Sequence, residues 1–267
     1  MKKLLLTVLT LALVLSVASC SGTGNGEDTD TDDIVTTSAA DTEVSSPSVP
    51  DCDYTYEIKE EIIVIHETED GRKSTKVLRY PVISGMADEE KQNTVYSIFR
   101  DTAERQFILN VPDVDIYVIE DTVFNYEVSE VSVEYFSNSF ISVKNSEYSL
   151  AGRAMYPECP GYTVNVNLES GEIIDEEDII GDFNIISSKF IAGDFTMVSG
   201  ASALMENTNY EDMILQYKSE YASYPEIYFT ADSLVLCIDL VPSLGSSASF
   251  AVPMADIVDA LALNPIK

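Results

Sequence analysis

The amino-acid sequence predicts an α+β body, with antiparallel sheets and a few helices packed on one face, after a signal peptide and a disordered acidic linker. Three observations lead there. Composition breaks near residue 51, where a stretch without aromatic residues gives way to one rich in Tyr, Ile and Val. Beyond the break, β-branched and aromatic runs are separated by Gly-containing turns, which is the pattern of antiparallel strands. A few longer segments instead carry apolar residues at helical spacing.

Residues 1–20 read as an export signal. Lys2 and Lys3 form a basic start, Leu4 to Val17 is a 14-residue apolar run, and small residues lead to Cys20. At ~1.5 Å per residue such a run is short for ~30 Å of hydrocarbon. Val17-Ala18-Ser19-Cys20 looks like a bacterial lipobox, which implies that Cys20 is lipidated and becomes the mature N-terminus. Several acyl chains on one residue anchor stably, each buried CH₂ contributing ~0.8 kcal/mol.

Ser21 to Asp51 follows as a tether of 31 residues, with eight acidic side chains and no basic ones. It has too little apolar surface to offset the entropy of ordering. As a flexible coil it would hold the next domain about 30 Å from the membrane. Asp28-Thr29-Asp30-Thr31-Asp32 begins like a calcium loop. However, Asp33 stands where that loop needs Gly and Ala39 where it needs Glu, so the stretch reads as solvated charge.

Residues 52–267 then alternate strands and helices. Tyr54–Glu67 and Ser74–Ile83 read as strands joined by an Asp70-Gly71 two-residue hairpin. Asp88–Leu109 is predicted helical from Val95, Ile98, Phe99 and Thr102 or Ala103, with Asp88 as cap and Pro112 just past the end. Val123–Phe136, Ser139–Leu150 and Gly161–Leu168 are predicted strands, followed by a Ser170-Gly171 turn and a short acidic helix from Asp175 to Asp178. Phe183–Phe195 and Tyr210–Tyr224 read as helices. Glu226–Thr230, Leu234–Val241 and Phe250–Val252 read as short strands, and Asp256–Leu263 as a last helix.

Charge sets the partners. The whole chain carries 46 acidic and 15 basic residues, a net of −31. Residues 52–267 hold 38 acidic against 13 basic, a net of −25, so the acidity belongs to the body as well as to its leash. Nucleic acid and anionic membrane surfaces need a basic patch and are excluded as partners.

Candidate chemistry is sparse, and no catalytic residue, cofactor or metal ligand is assigned. His66 is the single histidine, which excludes a metal site built on several imidazoles, and any Ser-His-Asp triad would have to use it. Its place at the end of Ile62–Ile65 suits a half-exposed strand residue. Paired carboxylates could serve a glycosidase, but among 38 of them close pairs arise by chance. Cys52, Cys159 and Cys237 are an odd count in an exported chain, allowing at most one disulfide. Cys237 lies in an apolar strand, while Cys52 and Cys159 sit beside loops and form the candidate pair. Tyr210, Tyr217, Tyr221 and Tyr224 share one face of a predicted helix. They are candidates for a partner surface, or for a face packed on the sheet.

Two segments resemble known families. Tyr80-Pro81-Val82-Ile83-Ser84-Gly85, followed by the helix with Asn93, is similar to the start of the PdaC-type domain. Tyr162–Leu168, Ser170-Gly171-Glu172 and Asp175–Ile180, with closing strands like Leu234–Leu240 and Phe250–Pro253, resemble the C-terminal domain of RsiV-like proteins. The resemblance implies a PdaC-type domain over 52–150 and an RsiV C-terminal-type domain over 151–267. It also implies recognition of proteins or cell wall outside the cytoplasm, since this pair occurs beside peptidoglycan deacetylase domains and in anti-sigma factors whose outer part binds lysozyme. This chain departs from both in having no deacetylase domain and nothing to hold a sigma factor. Related domains carry a Gly-rich, His-containing loop before the Tyr162-type strand. Here Ala151–Cys159 has no His, so no binding residue carries over.

Two readings of function remain, with a plainer one beside them. The first is a lipid-anchored binding module facing a cationic protein or peptide, or a cell-wall glycan, with salt-dependent encounter. The second is a carboxylate-dependent enzyme that modifies wall glycan. In the plainest reading, acidity only maintains solubility.

Overall fold

The computed structural model describes residues 52–111, 115, 123–151, 161–200, 209–219, 224–240 and 247–266. The expected signal peptide with Cys20, the tether, Cys159 and Tyr221 lie outside these residues. The fold is α+β, and its described strands form a six-stranded and a four-stranded sheet.

The first sheet has the order β1 (Thr55–Glu67), β2 (Lys73–Ser84), β3 (Phe124–Phe136), β4 (Phe140–Ala151), β5 (Gly161–Asn167) and β6 (Glu172–Ile173). The β1–β2 loop differs in detail from the expected two-residue turn. Thr68 and Arg72 still pair, with the Thr68 N–H donating to the Arg72 carbonyl at 2.8 Å, which leaves a three-residue loop. Gly71 closes it at φ +84°, a left-handed conformation that costs a residue without Cβ little. Thr68 and Arg72 both bond the Asp70 carboxylate and hold its pKa down at about 2.

One junction corrects the antiparallel expectation. β2 and β3 run parallel, Thr75–Val77 against Asn125–Glu127. The reason is α1 (Glu89–Asn110), which lies between them in sequence and carries the chain back to the starting end, as a parallel pair requires. Pro81 falls beyond this short stretch, so its missing N–H removes nothing from the β2–β3 ladder.

Asp88 caps α1 as expected, accepting the Lys91 N–H at 3.0 Å. The helix buries Val95, Phe99, Thr102, Ala103 and Phe107 against one face of the sheet, where Leu78, Tyr80, Phe124, Tyr126 and Val166 are 0–1 % exposed. Each such apolar side chain contributes roughly 1.5–3 kcal/mol. Lys76 is buried beneath the same helix, with its Nζ 2.5 Å from Glu104 and above the Phe107 ring.

The chain then builds the second sheet. Turn residues Asn167–Gly171 lead through β6 into α2 (Glu176–Ile179) and α3 (Phe183–Ala192). The expected helix to Phe195 stops at Ala192 because Gly193 turns left-handed at φ +83° and caps it. Just beyond the expected end of that helix the chain forms an unexpected strand, β7 (Thr196–Ser199). It opens the order β7, β10 (Ser247–Pro253), β9 (Ser233–Asp239), β8 (Glu226–Phe229). α3 and α4 (Tyr210–Ser219) cover this sheet through Ile186, Phe190, Ile214, Tyr217, Leu236 and Phe250. The last helix is shorter than expected, a single turn at Met254–Ile257 (α5) passing into a 3-10 turn to Ala260.

β8 lies across the face of the first sheet that α1 leaves open, over β3, β4 and β5. Side chains replace a ladder at this crossing. Ser142 Oγ accepts the Phe229 N–H at 2.9 Å and donates to Asn165 at 2.7 Å, and the Asn165 amide donates to the Ile227 carbonyl at 2.8 Å. Each polar group buried here therefore has a partner, and the Phe140 and Phe229 rings pack edge to face beside them. The first sheet thus takes strands from both sides of residue 150.

Candidate functional site

Beside the crossing of β8 over β5, residues of α1, β5, α2 and β8 line a partly open polar cavity of about 110 Å³. Arg105, Thr163, Glu176 and Glu226 line it. One oxygen of Glu226 accepts the Thr163 backbone N–H at 2.8 Å and its hydroxyl at 2.6 Å. Burial pushes the Glu226 carboxyl above its ordinary value, and the Thr163 bonds and the Arg105 charge pull the other way. Burial, then the nearby Glu226 charge, raises Glu176 to about 7.

A third carboxyl lies in the sheet beside this cavity. Glu147 on β4 is 3 % exposed, accepts the Tyr126 hydroxyl, and takes the Asn110 amide at 2.6 Å. Burial raises it to about 7 against the pull of both donors. Carboxyls poised near neutrality suit proton transfer. The space does not suit a sugar. Ligand sites occupy ~300–1,000 Å³, whereas 110 Å³ holds only a few waters.

The residues singled out from sequence go elsewhere. Tyr217 is 4 % exposed in the second core, and its hydroxyl accepts the Asp239 N–H at 2.9 Å. Tyr210 is half-buried against Phe190 and Phe250, and Tyr224 is half-buried edge-on to Phe183. Tyr217 is thus a core residue, whereas Tyr210 and Tyr224 each keep part of their surface exposed, and Tyr224 lies beyond the end of α4. His66 is half-buried opposite Ser74, at a bulge near the end of β1. Cys237 is a buried thiol, 3.7 Å from Ser249 Oγ, with its pKa pushed up to about 11 by burial. Cys52 is a half-buried thiol, and Cys159, its candidate disulfide partner, lies outside the described residues. Among the described residues no cluster of His, Cys, Asp or Glu could hold a metal ion, and no helix is long and apolar enough to cross a membrane.

Among the described residues, an open apolar row lies at the edge of the first sheet. On one face of β1, Tyr56, Ile58, Ile62 and Val64 are 42–66 % exposed. Ile62 stands opposite Val77 of β2, and the Tyr56 ring packs edge-on against the buried Phe136 of β3. Between the apolar residues, Arg79 is shared by Glu60 at 2.7 Å and Glu127 at 2.5 Å, leaving an excess negative charge within the strip. Sequence patterning missed this row because Tyr54–Glu67 reads as an ordinary strand. The signal lay in Tyr56, Ile58, Ile62 and Val64, which are apolar although Ile63 and Ile65 on the other face already pack against the core.

Glu147 was also legible in principle. It continues the inward row of Ile141 and Val143 on β4, where a carboxylate needs a partner. Glu176 and Glu226 have no local signature, since they meet Thr163 only through the crossing of the sheets.

Comparison with known proteins fits this architecture. No family model and no curated protein matches the sequence. Among solved structures, the chain is similar to a member of the DUF3298 family from Bacteroides fragilis, with a TM-score of 0.52 at 12 % identity over 80 % of this chain and 95 % of that one. A DUF3298 family protein from Pseudomonas aeruginosa aligns with a TM-score of 0.45 at 9 % identity, over 81 % and 95 % of the two chains. The Bacteroides likeness gives the described body a DUF3298-like fold.

Proposed function

We propose that the chain is a binding lipoprotein, anchored through lipidated Cys20 and facing outside the cytoplasm, that recognises a cationic protein such as lysozyme or a cell-wall component. The observation that carries this reading is the exposed row Tyr56, Ile58, Ile62 and Val64, set among carboxylates at a sheet edge. Exposed apolar strips rimmed by charge mark interaction sites. A net charge of −25 over residues 52–267 favours a basic partner, speeding encounter and making affinity depend on salt. Glycan modification finds less support, because the carboxyls poised near neutrality stand in or beside a cavity of 110 Å³.

The reading is tested by immobilising the full chain in neutral detergent and offering it lysozyme and soluble wall glycan at low salt. Retention of lysozyme, released by moderate salt, is expected. Release of new reducing ends from the glycan, lost in Glu147→Gln or Glu176→Gln, would replace the reading with the enzymatic one.

A further inference from the structure

We propose that the partner is captured as an extended basic segment that adds as a new strand to the outer edge of β1. This rests on the reading of the body as a binder of cationic partners, and it names the mode and the sequence pattern recognised.

β1 is an edge strand of 13 residues, longer than the ~5–6 typical of strands. It pairs with β2 along its length, and among the described residues no strand pairs with its other side. That side carries the second row of backbone N–H and C=O groups, a template for strand addition. Natural edges are commonly guarded by proline, by bulges or by an outward lysine. β1 has no proline, and its irregularity lies at the far end, between Val64 and His66. Its one lysine, Lys59, is drawn back over the sheet, with Nζ 3.1 Å from both the Tyr96 hydroxyl and Glu61.

The two faces of β1 differ in chemistry. Tyr56, Ile58 and Ile62 project to the open face, while Glu57, Lys59 and Glu61 project to the α1 side. A strand added here presents alternate side chains to the same two faces. Apolar residues at every second position would extend the exposed row, and basic residues between them would fall beside Glu57, since Glu61 already holds Lys59 and Arg100 at 3.1 and 3.5 Å. A second copy of this chain fits poorly, because two bodies of net charge −25 would have to meet edge to edge.

The test uses the full chain in neutral detergent and a synthetic ten-residue peptide alternating Val and Lys. Its control is the same peptide methylated on every backbone nitrogen, which keeps charge and side chains but removes the main-chain donors. At low salt the unmodified peptide is expected to bind at least about tenfold more tightly than its control. An Ile58→Lys/Ile62→Lys double variant, with both sites exposed and its fold checked by thermal melting, is expected to lose a similar factor. Equal affinity for both peptides would overturn strand addition while leaving recognition of cations standing. Unchanged binding by the double variant would move the site off β1 and overturn it too. Absence of binding by either peptide would overturn this proposal and the reading it rests on, as would β1-dependent self-association without peptide binding.

Discussion

Glu226 on β8 takes both the backbone N–H and the hydroxyl of Thr163 on β5, and in doing so pins the second sheet across the first. Only the hydroxyl can be removed by mutation without touching the backbone. Thr163→Val keeps the shape and leaves Glu226 one donor short. A loss of about 1–2 kcal/mol in denaturant unfolding is expected, because a half-buried carboxylate then forfeits a charge-assisted bond. Thr163→Ser should restore most of it.

The raised carboxyls set a pH dependence of definite sign. Burial lifts the Glu147 carboxyl from its ordinary value near 4.5 to about 7, so the folded state binds its proton more tightly than the unfolded state. Its contribution favours folding at low pH and declines as pH rises from about 4.5 through 7. For this nearly buried group the full decline is on the order of 3 kcal/mol. Glu176 shifts in the same direction, from burial and the Glu226 charge. Thermal midpoints measured from pH 5 to pH 8 should therefore fall, and Glu147→Gln should flatten the fall.

The expected elements came close wherever the signal was local. The strands now seen as β1 to β5 and the Asp88 cap were readable from alternation, Gly turns and a capping aspartate. The parallel β2–β3 junction was not, because direction depends on where α1 delivers the chain. β7 was hidden behind Gly193, whose left-handed turn cuts short an apolar run that otherwise scans as helix. The carboxyl cavity was illegible, since Thr163, Glu176 and Glu226 come together only when β8 crosses β5.

The cap itself is a quantitative check on the helix that covers the first core. Asp88→Ala removes the acceptor for the Lys91 N–H and a negative charge at the helix start. A loss of about 1 kcal/mol is expected in chemical denaturation, with Asp88→Asn losing less.

The thiols should separate by burial. Cys237 is enclosed and its thiolate disfavoured, so a maleimide at pH 7.5 should leave it unmodified in the native chain. Peptide mapping after labelling would show this directly, and Cys237 should label once the chain is unfolded.

On the proposed reading, acidity and the β1 edge together serve a basic partner. Equilibrium binding of lysozyme to the full chain, measured at 50 and 300 mM salt, tests it most directly. Binding at the lower salt that weakens by roughly tenfold or more at the higher is the expected result for attraction between opposite charges. No binding at 50 mM salt, or an affinity indifferent to salt, would contradict it.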